Sequence, residues 1–345
     1  MSDEYVYPED FGAVADGTTN CCNALQATLN TGGKVKLSPG TYLVDGSLIL
    51  SEEHSGGALI GCGRKQTELR FVDNSVPHCI GAVGATKAAV NLHDFRFDGL
   101  RIRGPGIDAG AVRGIAIHNT LGEPSAQLVS PYNIDVVDVQ FTYLSSDAFF
   151  SPMLWGAMLD RVATYDIGGN GLVLGRSPSY TIKRTNYLHG CAGVGLWLLG
   201  GDPVVEAVNI GHCAVGLKCG RKQGDLPAPY DAASYCRPRI NGLNVEPATE
   251  ACLRFEGASY PVELAGATVY SGGSDTVGVS FRWLNADTDS LIRRVRFSNK
   301  PGCSFAERLY VQGAQDGTKI VYTGPDEDIS QNGATPTVVK QITLS

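Results

Sequence analysis

From about residue 90 to residue 300 the chain alternates two short patterns. The first is a small residue followed by apolar residues at every second position. It recurs at Gly114-Ile-Ala-Ile, Ala148-Phe-Phe, Gly171-Leu-Val-Leu, Gly195-Leu-Trp-Leu, Gly216-Leu-Lys-Cys, Cys252-Leu-Arg-Phe and Gly278-Val-Ser-Phe. The second is a polar pair or turn and then apolar–x–apolar, as in Leu100-Arg-Ile, Val139-Gln-Phe, Val208-Asn-Ile, Leu243-Asn-Val and Val295-Arg-Phe. Period-2 alternation predicts short strands with one face inward. On that basis Ile115, Ile117, Leu172, Leu174, Leu196, Leu198, Leu217, Cys219, Leu253, Phe255, Val279 and Phe281 point inward. Ala116, His118, Val173, Trp197, Lys218, Arg254, Glu256, Ser280 and Arg282 point outward.

The first marker recurs after 34, 23, 24, 21, 36 and 26 residues, a unit of 21 to 26 residues with two longer insertions. No unit holds a helix, which excludes helical and leucine-rich solenoids, and propeller blades need about 40 residues. The remaining architecture is a parallel β-helix, in which each coil lies about 4.8 Å above the last and pairs its backbone with the coils on either side.

Composition sharpens this picture. Glycine contributes 43 of 345 residues and charged residues only 18%. Inward apolar rows and tight corners explain both, with glycine supplying positive φ at the corners. The net charge of −7, without any basic run, gives no grip on nucleic acid or an anionic membrane. No transmembrane segment or signal peptide is visible. Localisation stays open, with a virion or extracellular setting if the chain is tailspike-like. The ten cysteines lack paired CxxC spacing and read as reduced, mostly buried thiols.

Residues 9 to 44 carry a more specific signal: Asp10-Phe-Gly-Ala-Val-Ala-Asp-Gly-Thr-Thr-Asn, then Ala24-Leu-Gln-Ala-Thr-Leu-Asn, then Gly32-Gly-Lys-Val-Lys-Leu-Ser-Pro-Gly-Thr-Tyr-Leu-Val. This resembles the opening of the right-handed parallel β-helix proteins of the pectate lyase superfamily, where a loop, a short capping helix and a strand-turn-strand begin the solenoid. Cys21-Cys22 stand where many relatives have acidic residues, while Leu25 and Leu29 keep the helix's apolar face. The resemblance implies an all-β, right-handed parallel β-helix with a short N-terminal capping helix. It divides the chain into a cap and first coil (1–44), a solenoid (45–305) and a C-terminal cap or tail (306–345).

It also implies work on carbohydrate. The leading expectation is a protein that binds and cleaves a polysaccharide as a glycoside hydrolase, a polysaccharide lyase or a tailspike-like depolymerase. The alternatives are a non-catalytic glycan-binding spike or adhesin, and a β-helix glycan or fructan transferase. The Asp-Pro-His signature of the superfamily's uronate epimerases and the paired aspartates of its polygalacturonases are both absent. The expected partner is a polysaccharide or oligosaccharide, with a homotrimer as a possible assembly and no cofactor.

Two insertions, Thr120 to Tyr132 and Gly220 to Arg237, rise from one edge of one sheet, and loops on one rim of a repeat scaffold commonly build binding surfaces. Beside that rim stand Trp197, Lys218, Arg254 and Glu256 on neighbouring outward positions, with Asp202, Asp225, Tyr230 and Asp231 in the adjoining loops. An exposed indole beside polar groups suits a sugar ring. Asp202 and Glu256 follow strands two coils apart, roughly 10 Å. That lies near the inverting-hydrolase separation of about 6.5–9.5 Å. A second cluster is His189 with His212, expected to stack about 5 Å apart, with Asp166 and Asp147 in preceding corners. Two histidines and a carboxylate can bind a metal, act as acid and base, or form a structural ladder, although no metal motif appears. For elimination, Lys218 with Arg254 and Arg282 would supply both the base and the cations that neutralise a uronate carboxylate.

Overall fold

The computed structural model describes residues 5–120, 131–175, 180–185, 187–220, 236–256, 262–271, 276–282, 289–293, 295–298, 305–312, 319–322, 329–332 and 337–340. Two compact units divide the chain, Met1–Leu174 and Gly175–Ser345.

In the first unit each coil has three faces. The first face stacks Tyr5–Val6, Lys34–Lys36, Ala58–Ile60, the leading halves of His93–Arg103 and Tyr132–Leu144, and Trp155–Asp160. The second stacks Asp16–Asn20, Gly40–Val44, Thr67–Phe71, the trailing halves of the same two long strands, and Ala163–Ile167. The third stacks Leu48–Ile49, His78–Gly84, Arg113–Asn119, Phe149–Ser151 and Leu172–Leu174. All pairing is parallel and mostly in register, so one inward position recurs coil after coil. Val35, Leu59, Phe97, Val136 and Leu159 form one such row, and Ile80, Ile115, Phe149 and Leu172 another, all buried.

The second unit repeats the plan. Its third face holds Val194–Leu198, Val215–Gly220, Ala251–Glu256, Thr276–Arg282, Phe305–Gln312 and Ile329–Asn332, so strands continue beyond residue 305 in the same ladder. Leu196, Leu217 and Leu253 form one buried row and Leu198, Cys219 and Phe255 the next. Side chains of Val279, Phe281, Ser280 and Arg282 lie outside the described residues.

Among the described side chains the alternation therefore assigns inward positions correctly. It fails on exposure. Ala116, His118, Val173, Trp197, Lys218 and Glu256 point away from the core, yet all are buried. Third-face strands are covered on both sides, so alternation there separates two buried faces rather than core from solvent.

The corner between the first two faces is a single left-handed residue. It is Gly99, Asp138 and Arg161 in the first unit, and Arg184, Ala207, Gly242 and Gly266 in the second. Only three of these seven are glycine. The conformation is demanded, but L-residues absorb its cost of about 1–2 kcal/mol because the apolar rows on both sides fix the chain there. The glycine excess is thus only partly a property of corners.

The opening motif folds as expected, and its chemistry explains the residue types. Asp16 accepts hydrogen bonds from the Thr18 and Thr19 amides (2.8 and 2.7 Å) and the Thr19 hydroxyl (2.8 Å), closing the Asp-Gly-Thr-Thr loop. A helix spans Cys22–Leu29 and buries Leu25, Thr28 and Leu29. Its Gln26 side chain accepts from the Ile49 amide (2.7 Å) and donates to the Ile49 carbonyl (2.9 Å). One side chain thereby satisfies backbone groups at the edge of the third face. A second short helix, Lys87–Val90, has no counterpart in the sequence patterns. Among the described residues no helix is long and apolar enough to cross a membrane. Of the cysteines among them, seven are buried and none is bonded to another.

Gly40, in Pro-Gly-Thr-Tyr, sits at φ +135°, and a Cβ there would lie 2.5 Å from the Ala15 carbonyl oxygen. Gly40→Ala is expected to cost about 1–3 kcal/mol through strain and overlap. Thermal unfolding should show a melting temperature several degrees lower; an unchanged melting temperature would contradict the assignment.

Candidate functional site

In the second unit the register aligns Trp197, Lys218 and Arg254 in one outward row, with Glu256 one position further on beside the backbone positions of Gly220 and Arg282. The structure brings these together, but not as an open sugar platform. The Trp197 indole N–H donates to the Gly220 carbonyl (3.0 Å), and the Lys218 ammonium sits 4.4 Å from its ring centroid. The indole, expected to be exposed, is 6% exposed, with its polar edge and ring face both used by the protein. Lys218 Nζ lies 3.0 Å from Glu256 Oε2, with side chains 8% and 3% exposed. Arg254 lies 3.8 Å from the other Glu256 oxygen and 3.1 Å from Glu250.

Asp202 is held elsewhere, by Arg237 at 3.0 Å. The two carboxylates expected to act as a hydrolytic pair therefore each belong to a separate ion pair. Asp225, Tyr230 and Asp231 lie outside the described residues.

The histidine ladder forms at the expected spacing. His189 and His212 ring centroids are 4.5 Å apart, tilted 53°. Tyr187 stacks on His189 at 4.9 Å, and its hydroxyl is 3.3 Å from Glu246 Oε2. Asp166 lies in the first unit, exposed, at a left-handed φ of 56°. Among the described residues no group of three His, Cys, Asp or Glu could hold a metal ion.

A polar column lies on the third face of the first unit; of its members the sequence patterns pointed only to Asp147, expected beside the His189–His212 pair and found instead with Arg113 and Asn170. Arg113, Asp147 and Asn170 each immediately precede a small-residue marker, Gly114, Ala148 and Gly171, and so stack in register; His78 is the backbone partner of Arg113. The corresponding positions of the second unit are Val194, Val215, Ala251 and Val277. Reading one residue upstream of the repeat marker would have exposed the column.

Its geometry is specific. Asp147, 6% exposed, accepts from Arg113 Nε (3.1 Å), the Asn170 amide (3.0 Å) and Asn170 Nδ2 (2.8 Å). The Arg113 guanidinium also lies 4.2 Å from the Phe150 ring centroid. Its plane is thus fixed from one edge and one face, and no partner among the described residues takes its Nη groups. The side chain remains 28% exposed. His118 meets Phe150 edge-on at 5.2 Å. Burial, assisted by the Arg113 charge, pushes the His78 imidazole below its ordinary value of 6.5. A neutral base therefore neighbours a fixed guanidinium fork.

Three-faced parallel coils with single-residue left-handed corners make this chain a right-handed parallel β-helix. No family model matches the chain. It is 26% identical over 257 residues to the mannuronan C5-epimerase AlgE1 of Azotobacter vinelandii, covering 65% of this chain and 16% of that protein. It is 30% identical over 155 residues to alginate lyase 7 of the same organism, covering 41% and 17%. Each match spans less than a fifth of the curated relative. Among solved structures, the A-module of the A. vinelandii mannuronan C5-epimerase AlgE4 superposes with a TM-score of 0.58 at 16% identity, covering 99% of this chain and 98% of that one.

Proposed function

We propose that the chain acts on an acidic polysaccharide by removing the proton from the carbon that bears a uronate carboxylate, with the His78–Arg113–Asp147–Asn170 column as the reacting site. The carrying observation is the Arg113 guanidinium, anchored through Nε and with no partner among the described residues at either Nη, beside an imidazole that burial pushes below its ordinary value. The relatives named as a mannuronan C5-epimerase and an alginate lyase support the substrate class, since epimerisation at C5 and elimination from a uronan share this first step.

Arg113 would take the carboxylate through two parallel Nη–H···O bonds, the geometry for which a guanidinium is suited. That contact withdraws electron density and lowers the barrier to breaking the adjacent C–H bond. The His78 nitrogen lone pair takes the proton, and the C–H electron pair passes into the carboxylate as an enolate-like dianion held by Arg113. In elimination this pair then forms the C4–C5 double bond as the C4–O bond breaks, and the departing oxygen takes the proton from the His78 imidazolium, which returns to its neutral form. In epimerisation a water on the opposite side gives a proton to C5, and the resulting hydroxide is neutralised by the proton held on His78. Asp147 and Asn170 are positioning residues, holding the guanidinium plane.

Incubation with mannuronan and with neutral glucans separates the outcomes. New ultraviolet absorbance from unsaturated ends supports elimination, and changed C5 configuration by NMR supports epimerisation. New reducing ends without either would overturn the reading in favour of hydrolysis, and binding without any change would favour a glycan-binding spike.

A pH prediction follows from His78. The base must be neutral, so kcat/KM should rise with pH through a midpoint below 6.5 and be flat above it. Stability has the same sign. The folded-state value is depressed, so the unfolded chain binds the proton first as pH falls; the contribution is present above 6.5 and is lost on acidification from there through the folded value. His54, also lowered by burial, adds in the same direction. His78→Gln should remove the acid limb of the activity profile along with the activity itself. A rate limb centred above 6.5 would exclude His78 as the base.

A further inference from the structure

The second face of the first unit carries a different charge pattern. Register places Glu68, Arg101 and Gln140 in one outward row and Arg70, Arg103, Thr142 and Tyr165 in the next. Three guanidinium groups share this small grid with one carboxylate, in a chain whose net charge is −7. Glu68 is divided between Arg70 (2.8 Å) and Arg101 (3.3 Å), and Arg101 also donates to Gln140 (3.3 Å). Among the described residues Arg103 has no carboxylate partner. Its guanidinium rests 4.8 Å from the centroid of the Tyr143 ring, itself 42% exposed. Asp166 stands on the neighbouring strand, one position past Tyr165, and is exposed.

A second observation points to the same place. Thr142, the backbone partner of Arg103, is 6% exposed, and among the described residues its hydroxyl has no hydrogen-bond partner. Burying a hydroxyl without a partner is unfavourable by itself, so such groups in a folded protein call for an occupant. A carbohydrate carboxylate fits what is offered: a fork donor from Arg103, a hydroxyl donor from Thr142, and a supporting positive field from Arg70 and Arg101. Tyr143, beneath the guanidinium, supplies ring surface for the C–H face of the same sugar.

We infer that this arginine face is a second, non-reacting binding site for an acidic glycan, with Arg103 and Thr142 gripping a uronate carboxylate away from the His78–Arg113 column. It rests on the reading of an acidic substrate and adds to it a place where a long chain is held outside the reacting site. A chain bound there would stay tethered between reaction events, raising the local concentration of its other residues.

The test is titration calorimetry on the full chain with hexamannuronate, and with maltohexaose as an uncharged probe of the same length. It is run in the wild type and in an Arg113→Ala background that disables the reacting site. Binding of hexamannuronate should persist in Arg113→Ala and weaken about tenfold when Arg103→Gln is added, the size expected for one charge-assisted contact. It should also weaken as salt rises. Thr142→Val, which keeps shape and removes the unpartnered hydroxyl, should fold at least as well as wild type and bind several-fold more weakly.

Unchanged affinity in both Arg103→Gln and Thr142→Val would overturn the inference, as would equal losses for maltohexaose or no hexamannuronate binding to Arg113→Ala. Failure of the reacting-site reading looks different: undiminished turnover in Arg113→Ala.

Discussion

Replacing Arg113 with alanine is expected to lower kcat/KM on a uronan by about 100- to 1,000-fold, the range for removing one preorganised donor from developing negative charge. The loss should fall mainly in kcat, because the charge on the carboxylate oxygens is greatest after the proton has left. Asp147 would be left 6% exposed without its cation, though still holding two hydrogen bonds from Asn170. Arg113→Ala alone therefore mixes a chemical and a structural effect. Arg113→Lys separates them. It keeps a positive charge near Asp147 and so the fold, but a point ammonium cannot span both carboxylate oxygens, so turnover should fall while the melting temperature holds. A folded Arg113→Ala protein with turnover within twofold of wild type would end the proposal.

The sequence made the fold legible for a physical reason. A parallel β-helix repeats one inward position in every coil, so Leu196, Leu217 and Leu253, or Leu198, Cys219 and Phe255, appear as a recurring alternation that cannot be mistaken for helix. The opening segment was legible because each residue type has a local task, such as Asp16 closing its own loop. Exposure was not legible. Trp197 and Lys218 alternate with leucine like surface residues, but coverage of an outer face depends on chain far away in sequence. Glycine was over-read as the corner residue, since Asp138, Arg161, Arg184 and Ala207 take the same left-handed conformation.

The candidate site was only half legible. His189 and His212 meet although the count behind that expectation is off by one: the backbone partner of His189 is Gly211, and His212 follows it at a left-handed φ of 52°. The Arg113–Asp147–Asn170 column keeps strict register but begins one residue before the marker, where types differ from coil to coil and no apolar pattern draws attention. Columns of unlike polar residues are where a repeat scaffold departs from mere stacking. They are found by aligning coils, not by reading along the chain.

Glu256 provides the second large expected effect, and it decides between two roles for the outward row of the second unit. As a hydrolytic acid it would be replaceable by glutamine with activity lost and stability kept. As the anionic half of a buried pair it would behave oppositely. Lys218 and Glu256 are 8% and 3% exposed and 3.0 Å apart, so Glu256→Gln takes a carboxylate away from a buried ammonium. Removing one partner of such a pair costs about 3–5 kcal/mol, a large share of the roughly 5–15 kcal/mol that separates folded from unfolded domains. Arg254 retains Glu250 at 3.1 Å in either case. The expected result is a large fall in melting temperature, with turnover per folded molecule little changed. Replacing both partners, Lys218→Met with Glu256→Leu, should restore most of the stability, because apolar side chains of similar volume need no solvation and a methionine sulfur still packs against the Trp197 ring. A double variant that folds but no longer turns over substrate would return Glu256 to the chemistry and move the reacting site from the Arg113 column to the second unit.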